Sequence, residues 1–140
     1  MNKNSHHFIW PVRVYYEDTD AGGLVYHANY LKYMERARTE WLRSIGYEQD
    51  RLLEQDGIVF AVHSLQVGYH RPARFNDALE VSAALANKGR ASLIFRQEIR
   101  RTADSRLLCD GEIRIACMDL KQMRSTPIPK ALFVELPDAD

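Results

Sequence analysis

The chain is poor in the residues that cross-link, anchor or export a protein. Only two cysteines, Cys109 and Cys117, occur in its 140 residues, and both fall within one run of strand periodicity. Eight positions at about 3.3 Å each put their Cα atoms about 26 Å apart, whereas a disulfide spans about 4.4 to 6.8 Å. The two cannot pair within that strand, and neither a Cys-x-x-Cys nor a Cys/His ligand spacing is present. Reduced, buried thiols and a cytoplasmic setting are the expectation.

Long apolar runs are also missing. The longest, Ile58 to Val62, is far too short to cross a bilayer, and the N-terminal MNKNSHHFIWPVRVYY contains no stretch of leader length. Charge of one sign is not in excess: 19 basic residues balance 19 acidic ones, so no net field draws the protein to nucleic acid or to an anionic membrane surface. Repeats, low-complexity tracts and Pro/Gly linkers are lacking too. With 46% hydrophobic and 27% charged residues, one globular domain over residues 1–140 is expected.

What the chain does have is periodicity. Val12, Val14 and Tyr16 alternate with Arg13 and Tyr15, which predicts a first strand over Val12 to Tyr16 with Pro11 at its very start. Tyr30, Met34, Ala37, Trp41 and Ile45 then recur at three- and four-residue steps, with Leu31 and Leu42 widening the stripe. This predicts a long amphipathic helix with Asn29 as N-cap, Gly46 as C′ and an exposed Arg36–Glu40 ion pair. A shorter helix over Gln49 to Gln55 should stop at Gly57.

Beyond Gly57 the period changes to two. Strands are predicted over Ile58 to Tyr69, Leu79 to Leu85, a run in which Leu93, Phe95 and Ile99 share one face, and Leu107 to Asp119. The separators RPARFND, NKGRA and TADSR carry turn residues. Four consecutive strands with short connections favour an antiparallel sheet, whose apolar face must bury the helical stripe. The fold class is therefore α+β, with about five antiparallel strands wrapped around one long helix. Pro129 suits the first residue of a short terminal helix.

The junction between the first strand and the helix concentrates chemistry. In EDTDAGGLVYH, residues 17–27, three carboxylates and two adjacent glycines precede a helix start. Gly22 and Gly23 allow close approach of another molecule, and the helix start offers unpaired N–H groups at the positive end of its dipole. A carboxylate beside an oxyanion site suits attack on a carbonyl. The same acids also stabilise a helix dipole with no further role, and spacing alone does not decide between the two. Glu17, Asp18, Asp20 and His27 lack a recognised ligand spacing, so no metal is expected.

The stretches YYEDTDAGGLVYHANYLKYMERARTEWL, YHRPARFNDALEV and KGRASLIFRQEI together resemble the hot-dog fold acyl-CoA thioesterases of the 4-hydroxybenzoyl-CoA thioesterase type, in particular their bacterial Tol-Pal-associated branch. The resemblance spans roughly residues 10 to 130 and implies the fold already read from periodicity, assembled as dimers or tetramers. It also implies that Asp20 is the catalytic carboxylate, as nucleophile or as general base, and that the backbone N–H at His27 polarises the thioester carbonyl.

For the His27 side chain, orienting Asp20 or water and simply packing in the loop both stay open. Asp18 and Glu17 are expected to hold the loop through backbone N–H groups. By the same resemblance Lys88, Arg90, Ser92 and Arg124 correspond to the phosphate-contact region for coenzyme A, which enters as part of the substrate, so no separate cofactor is implied; that Lys88 and Arg90 simply keep a hairpin turn solvated stays open beside this. A non-catalytic partner of acyl carrier protein in an envelope or lipid-synthesis complex is the alternative of a different class.

Overall fold

The computed structural model describes residues 8–139; the first seven positions of the N-terminal stretch discussed above, and Asp140, lie outside the described residues. In chain order the elements are β1 (Phe8–Arg13), a 3-10 turn (Tyr16–Asp18), α1 (His27–Ser44), α2 (Gln49–Asp56), β2 (Ile58–Tyr69), β3 (Ala78–Lys88), β4 (Ser92–Arg101), β5 (Leu107–Asp119), β6 (Arg124–Ser125) and α3 (Lys130–Glu135). The strands form one sheet in the order β1-β3-β4-β5-β2, every pairing antiparallel, and β6 adds two residues beside β5.

α1 buries Tyr30, Tyr33, Met34, Ala37, Trp41 and Leu42 against the sheet. Trp41 meets Phe95 of β4 edge to face at 5.0 Å between ring centroids. Close seating of the helix depends on a glycine in β5: a Cβ at Gly111 would come within 3.4 Å of the Met34 Cε and 3.1 Å of the Val67 side chain. Register shifts at Val62/Ser64, Leu85/Asn87 and Ile99/Arg100 interrupt the ladders. Such irregularities add twist, which helps a sheet curl around a helix.

β2 and β5 have the bounds that periodicity predicts, and Gly57 closes α2 in the left-handed conformation at φ 67°. Three local expectations are corrected. The first strand is Phe8–Arg13 and contains Pro11, which is tolerated because β1 is an edge strand paired only to β3. α1 begins at His27 with Tyr26 as N-cap, which leaves Asn29 inside the first turn. Glu40 pairs with Arg43 rather than Arg36, whose guanidinium lies 5.8 Å from the Tyr33 ring centroid.

α3 follows Pro129, which stands at the N-cap position, and buries Leu132; Leu136 just beyond it is buried too. Lys88 holds this end of the chain, donating to the Leu136 carbonyl at 3.3 Å with its ammonium 4.7 Å from the Phe133 ring centroid. No described helix is long and apolar enough to cross a membrane.

Cys109 and Cys117 are both unpaired and fully buried in β5. Burial pushes Cys109 up to about 12 and Cys117 up to about 11. In the unfolded chain both ionise near 9, so above that pH the folded state binds more protons, and stability falls as pH rises toward 11 to 12. We expect a thiol reagent at pH 8 to label the cysteines only as fast as the protein opens, with full labelling in denaturant. Rapid labelling of the native protein would contradict their burial.

Candidate functional site

The β1–α1 connection is held by short local bonds. Asp18 is its staple: its Oδ2 accepts from the Tyr15 N–H at 2.8 Å, and its carbonyl accepts from the Tyr26 N–H at 2.9 Å and from Asn29 Nδ2 at 2.8 Å. Asn29 therefore ties the first turn of α1 back to the loop instead of capping the helix. The Tyr33 hydroxyl is buried near Asp18 without a hydrogen-bond partner. Burial first, and then the Asp18 carboxylate, push its pKa up. Glu17 is exposed and makes no hydrogen bond among the described residues, so of the two acids expected to hold the loop only Asp18 does so.

Asp20 occupies the tip of this loop. Its Oδ1 accepts from the N–H groups of Gly22 at 2.9 Å and Leu24 at 3.3 Å, while its backbone exchanges bonds with Leu24 and Gly23. These bonds fix the carboxylate's orientation; Oδ2 carries none among the described residues. Gly23 makes the turn at φ 78°, a conformation that side chains other than glycine's rarely adopt.

α1 opens with no side-chain cap, and Asn29 is the first residue whose N–H finds a backbone acceptor, the Tyr26 carbonyl. The N–H groups of His27 and Ala28 have no such acceptor and are available to an anion. The His27 ring stacks on Tyr26 at 4.4 Å and meets Tyr69 edge-on at 6.2 Å, and it makes no hydrogen bond to Asp20. Tyr69 Oη donates to the His27 carbonyl at 3.2 Å.

The segment between β2 and β3 forms the other wall. Ala73 accepts from the Val25 N–H and donates its own N–H to the Tyr30 hydroxyl at 2.9 Å, and Arg74 bridges Leu24. Arg101 holds the segment from behind, through the Pro72 carbonyl at 3.1 Å and the Asp77 carboxylate at 3.3 Å. Asp20, His27, Tyr69, His70 and Arg71 thus line one open depression of about 380 Å³. Of these, Tyr69, His70 and Arg71 carry no site signal in the sequence, where they read as the end of a strand and the start of the RPARFND turn. His70 pairs with Asp110 of β5 at 2.9 Å.

Gly22, Gly23, Asp20 and His27 lie together at the β1–α1 junction, whereas Lys88, Arg90, Ser92 and Arg124 do not join them in one copy of the chain. Tyr69 pairs with Cys109 at one end of the sheet, while Ile58 pairs with Asp119, and Asp119 with Arg124, at the other. β3 leaves the Asp20 end at Ala78 and reaches Lys88 about 33 Å away. The four phosphate-contact candidates cluster there: Lys88 pairs with Leu93 across the hairpin, Ser92 with Ala116, and the Arg90 carbonyl accepts from Ile128.

A family model described as a thioesterase-like superfamily matches residues 14–136. The acyl-CoA thioester hydrolase YbgC of Escherichia coli O6:H1 is 43% identical over 128 residues, which cover 91% of this chain and 94% of that protein. The acyl-CoA thioesterase YbgC of Haemophilus influenzae is 42% identical, over 88% of this chain and 89% of that protein. Among solved structures, the 1,4-dihydroxy-2-naphthoyl-CoA thioesterase Slr0204 from Synechocystis matches in fold with a TM-score of 0.86 at 21% identity, covering 94% of this chain and 96% of its own.

An alanine at Gly23 would meet no atom within 4 Å, so its effect isolates the backbone conformation from crowding. We expect Gly23→Ala to lower stability by about 1 kcal/mol in urea unfolding. A loss below about 0.3 kcal/mol would mean that the turn does not constrain the loop.

Proposed function

Because this chain belongs to the thioesterase-like superfamily, we propose that it hydrolyses acyl-CoA thioesters at the β1–α1 junction, with Asp20 as the reacting carboxylate. The carrying observation is the pairing of a fixed, half-free carboxylate with an uncapped helix start. A thioester carbonyl oxygen directed at the His27 N–H would have its developing negative charge stabilised there. Asp20 Oδ2 then either attacks the carbonyl carbon, giving an anhydride that water opens, or takes a proton from the attacking water. In both routes the C–S bond breaks, the thiolate of coenzyme A leaves and is protonated, and water oxygen ends in the free acid. The His27 side chain acts by packing the entry against Tyr26 and Tyr69 rather than by orienting Asp20. Short-chain aliphatic and aromatic acyl groups both suit this chemistry.

The reading includes a second copy of the chain. β2 is a twelve-residue edge strand with Val62, Leu65 and Tyr69 exposed, an unpaired ladder that favours pairing with another strand. A two-fold axis that pairs β2 with itself sets Ile58 of one copy beside Tyr69 of the other. That brings the Lys88, Arg90, Ser92 and Arg124 end of one copy toward the Asp20 end of its neighbour, where these groups would meet the phosphates of coenzyme A.

Asp20→Asn keeps size and hydrogen bonding while removing the charge, so kcat should fall by about 10²- to 10⁴-fold with the melting temperature retained. Asp18→Asn should lose less in kcat and more in stability, since Asp18 bonds the loop. A folded Asp20→Asn enzyme keeping more than about a tenth of the wild-type kcat sinks the assignment.

The shared site has its own test. Lys88→Ala with Arg90→Ala should raise KM for acyl-CoA more than for a thioester lacking the nucleotide. Mixing that protein with Asp20→Asn should regain, at low substrate, activity that neither has alone, because each hybrid dimer carries one intact site. Activity that stays at the mean of the two parents, or sedimentation of an active monomer, rejects the shared site.

A further inference from the structure

Gln97 is the one buried polar side chain in the core of the described residues, at 1% exposure. Its amide is fully committed: Nε2 donates to the Met34 carbonyl of α1 at 3.0 Å and to the Ser82 carbonyl of β3 at 3.1 Å. With both amide hydrogens used, Oε1 must face the remaining neighbour, and it accepts from Arg38 Nη1 at 2.9 Å. The half-buried Arg38 is thus aimed by a residue that has no freedom to turn. Among the described residues its guanidinium takes part in no ion pair within 4 Å. Burial disfavours its charge, and the nearby Glu35 carboxylate only partly offsets this. A desolvated guanidinium of this kind ordinarily has an anion beside it.

Arg38 lines a cavity of about 220 Å³ between α1 and β2, whose other walls include Trp41, Phe60, Val62, Phe95 and Ile115. A dry cavity of about 150 Å³ takes benzene, so this one has room for a ring with one substituent. Glu35 also lines the cavity, but it is exposed and forms no ion pair with Arg38 within 4 Å, so it does not supply the guanidinium's missing anion. Within one copy the cavity is about 16 Å from His27 along α1. Across a β2 pairing it adjoins the second copy's Asp20 loop, since Phe60 and Val62 lie toward the Ile58 end of the strand.

We infer that this cavity seats the far end of the acyl group, and that Arg38, fixed by Gln97, selects acyl groups ending in a carboxylate. The inference rests on the thioesterase reading and on the shared site. A carboxylate there accepts two parallel N–H bonds from the free edge of the guanidinium while its apolar body fills the space between Trp41 and Phe60.

The kinetic test compares 4-carboxybenzoyl-CoA with 4-methylbenzoyl-CoA. Wild type should favour the first by about tenfold or more in kcat/KM, the scale of one charge-assisted hydrogen bond. Arg38→Lys keeps a cation and a donor for Gln97 but loses the planar edge, and should bring the two substrates to within about threefold of each other. Calorimetry supplies a readout that does not need turnover: benzoate should bind wild type at least about tenfold more tightly than benzamide. Hydrolysis of both thioesters without preference, together with equal binding of benzoate and benzamide, overturns the inference while leaving the thioesterase reading intact. Hydrolysis of no acyl-CoA at all, with benzoate still preferred, would instead overturn the thioesterase reading and keep the anion site. If Arg38→Lys fails to fold, the wild-type comparisons decide alone.

Discussion

The burial of α1 in the curl of the sheet is the constraint on which the other features depend. Trp41, Met34 and Tyr33 are fully enclosed, and each large apolar side chain removed from water contributes about 1.5 to 3 kcal/mol. The helix can rotate or slide only by opening that contact. Its start is therefore fixed above the end of the sheet where β2 finishes and β3 begins, and its middle is fixed over Gln97. Two chemically different places on one rigid helix result: an uncapped N-terminus with free N–H groups, and a guanidinium eleven residues further on.

Around the helix start the protein uses hydrogen bonds rather than apolar packing. Asp18 joins the strand end to the helix, Arg101 joins the β2–β3 segment to the hairpin behind it, and Tyr30 joins the two walls through Ala73. Asp20 and His27 themselves remain exposed. The supporting groups are partly buried while the two groups they frame face solvent, an arrangement that suits the entry of substrate and exit of product in the proposed reaction.

Much of this was legible from residue patterns. β2 and β5 have the bounds that periodicity predicts because turn residues such as Gly57 and the TADSR separator delimit those runs, and the Asp-Ala-Gly-Gly junction pointed to the place where Asp20 and His27 lie together. The errors have physical causes. Pro11 reads as a strand start unless the strand is known to be an edge, which depends on topology. Asn29 reads as a cap because its side chain suits one, yet its amide reaches a carbonyl in the preceding loop. Tyr33 and Gln97 were missed because each interrupts an apolar pattern with a polar atom; Gln97 is the position skipped between Phe95 and Ile99. The separation of Lys88 and Arg90 from Asp20 was not readable from sequence, since it depends on strand order and on which turn occupies which end of the sheet.

Strand order also sets how the molecule comes together. β3, β4 and β5 are joined by short hairpins, so their pairings close small loops. β1 must instead find β3 across a gap in which Phe8 meets Ala83, 75 residues later. Local pairings form faster than distant ones, so the three-stranded meander is the natural nucleus and β1 the late arrival. The loop carrying Asp20 hangs between β1 and α1. A form that has lost only β1 keeps most of the core but no longer anchors the Asp20 loop at its first end, which makes that loop part of the least protected cooperative unit of the fold, an order that amide exchange reads directly.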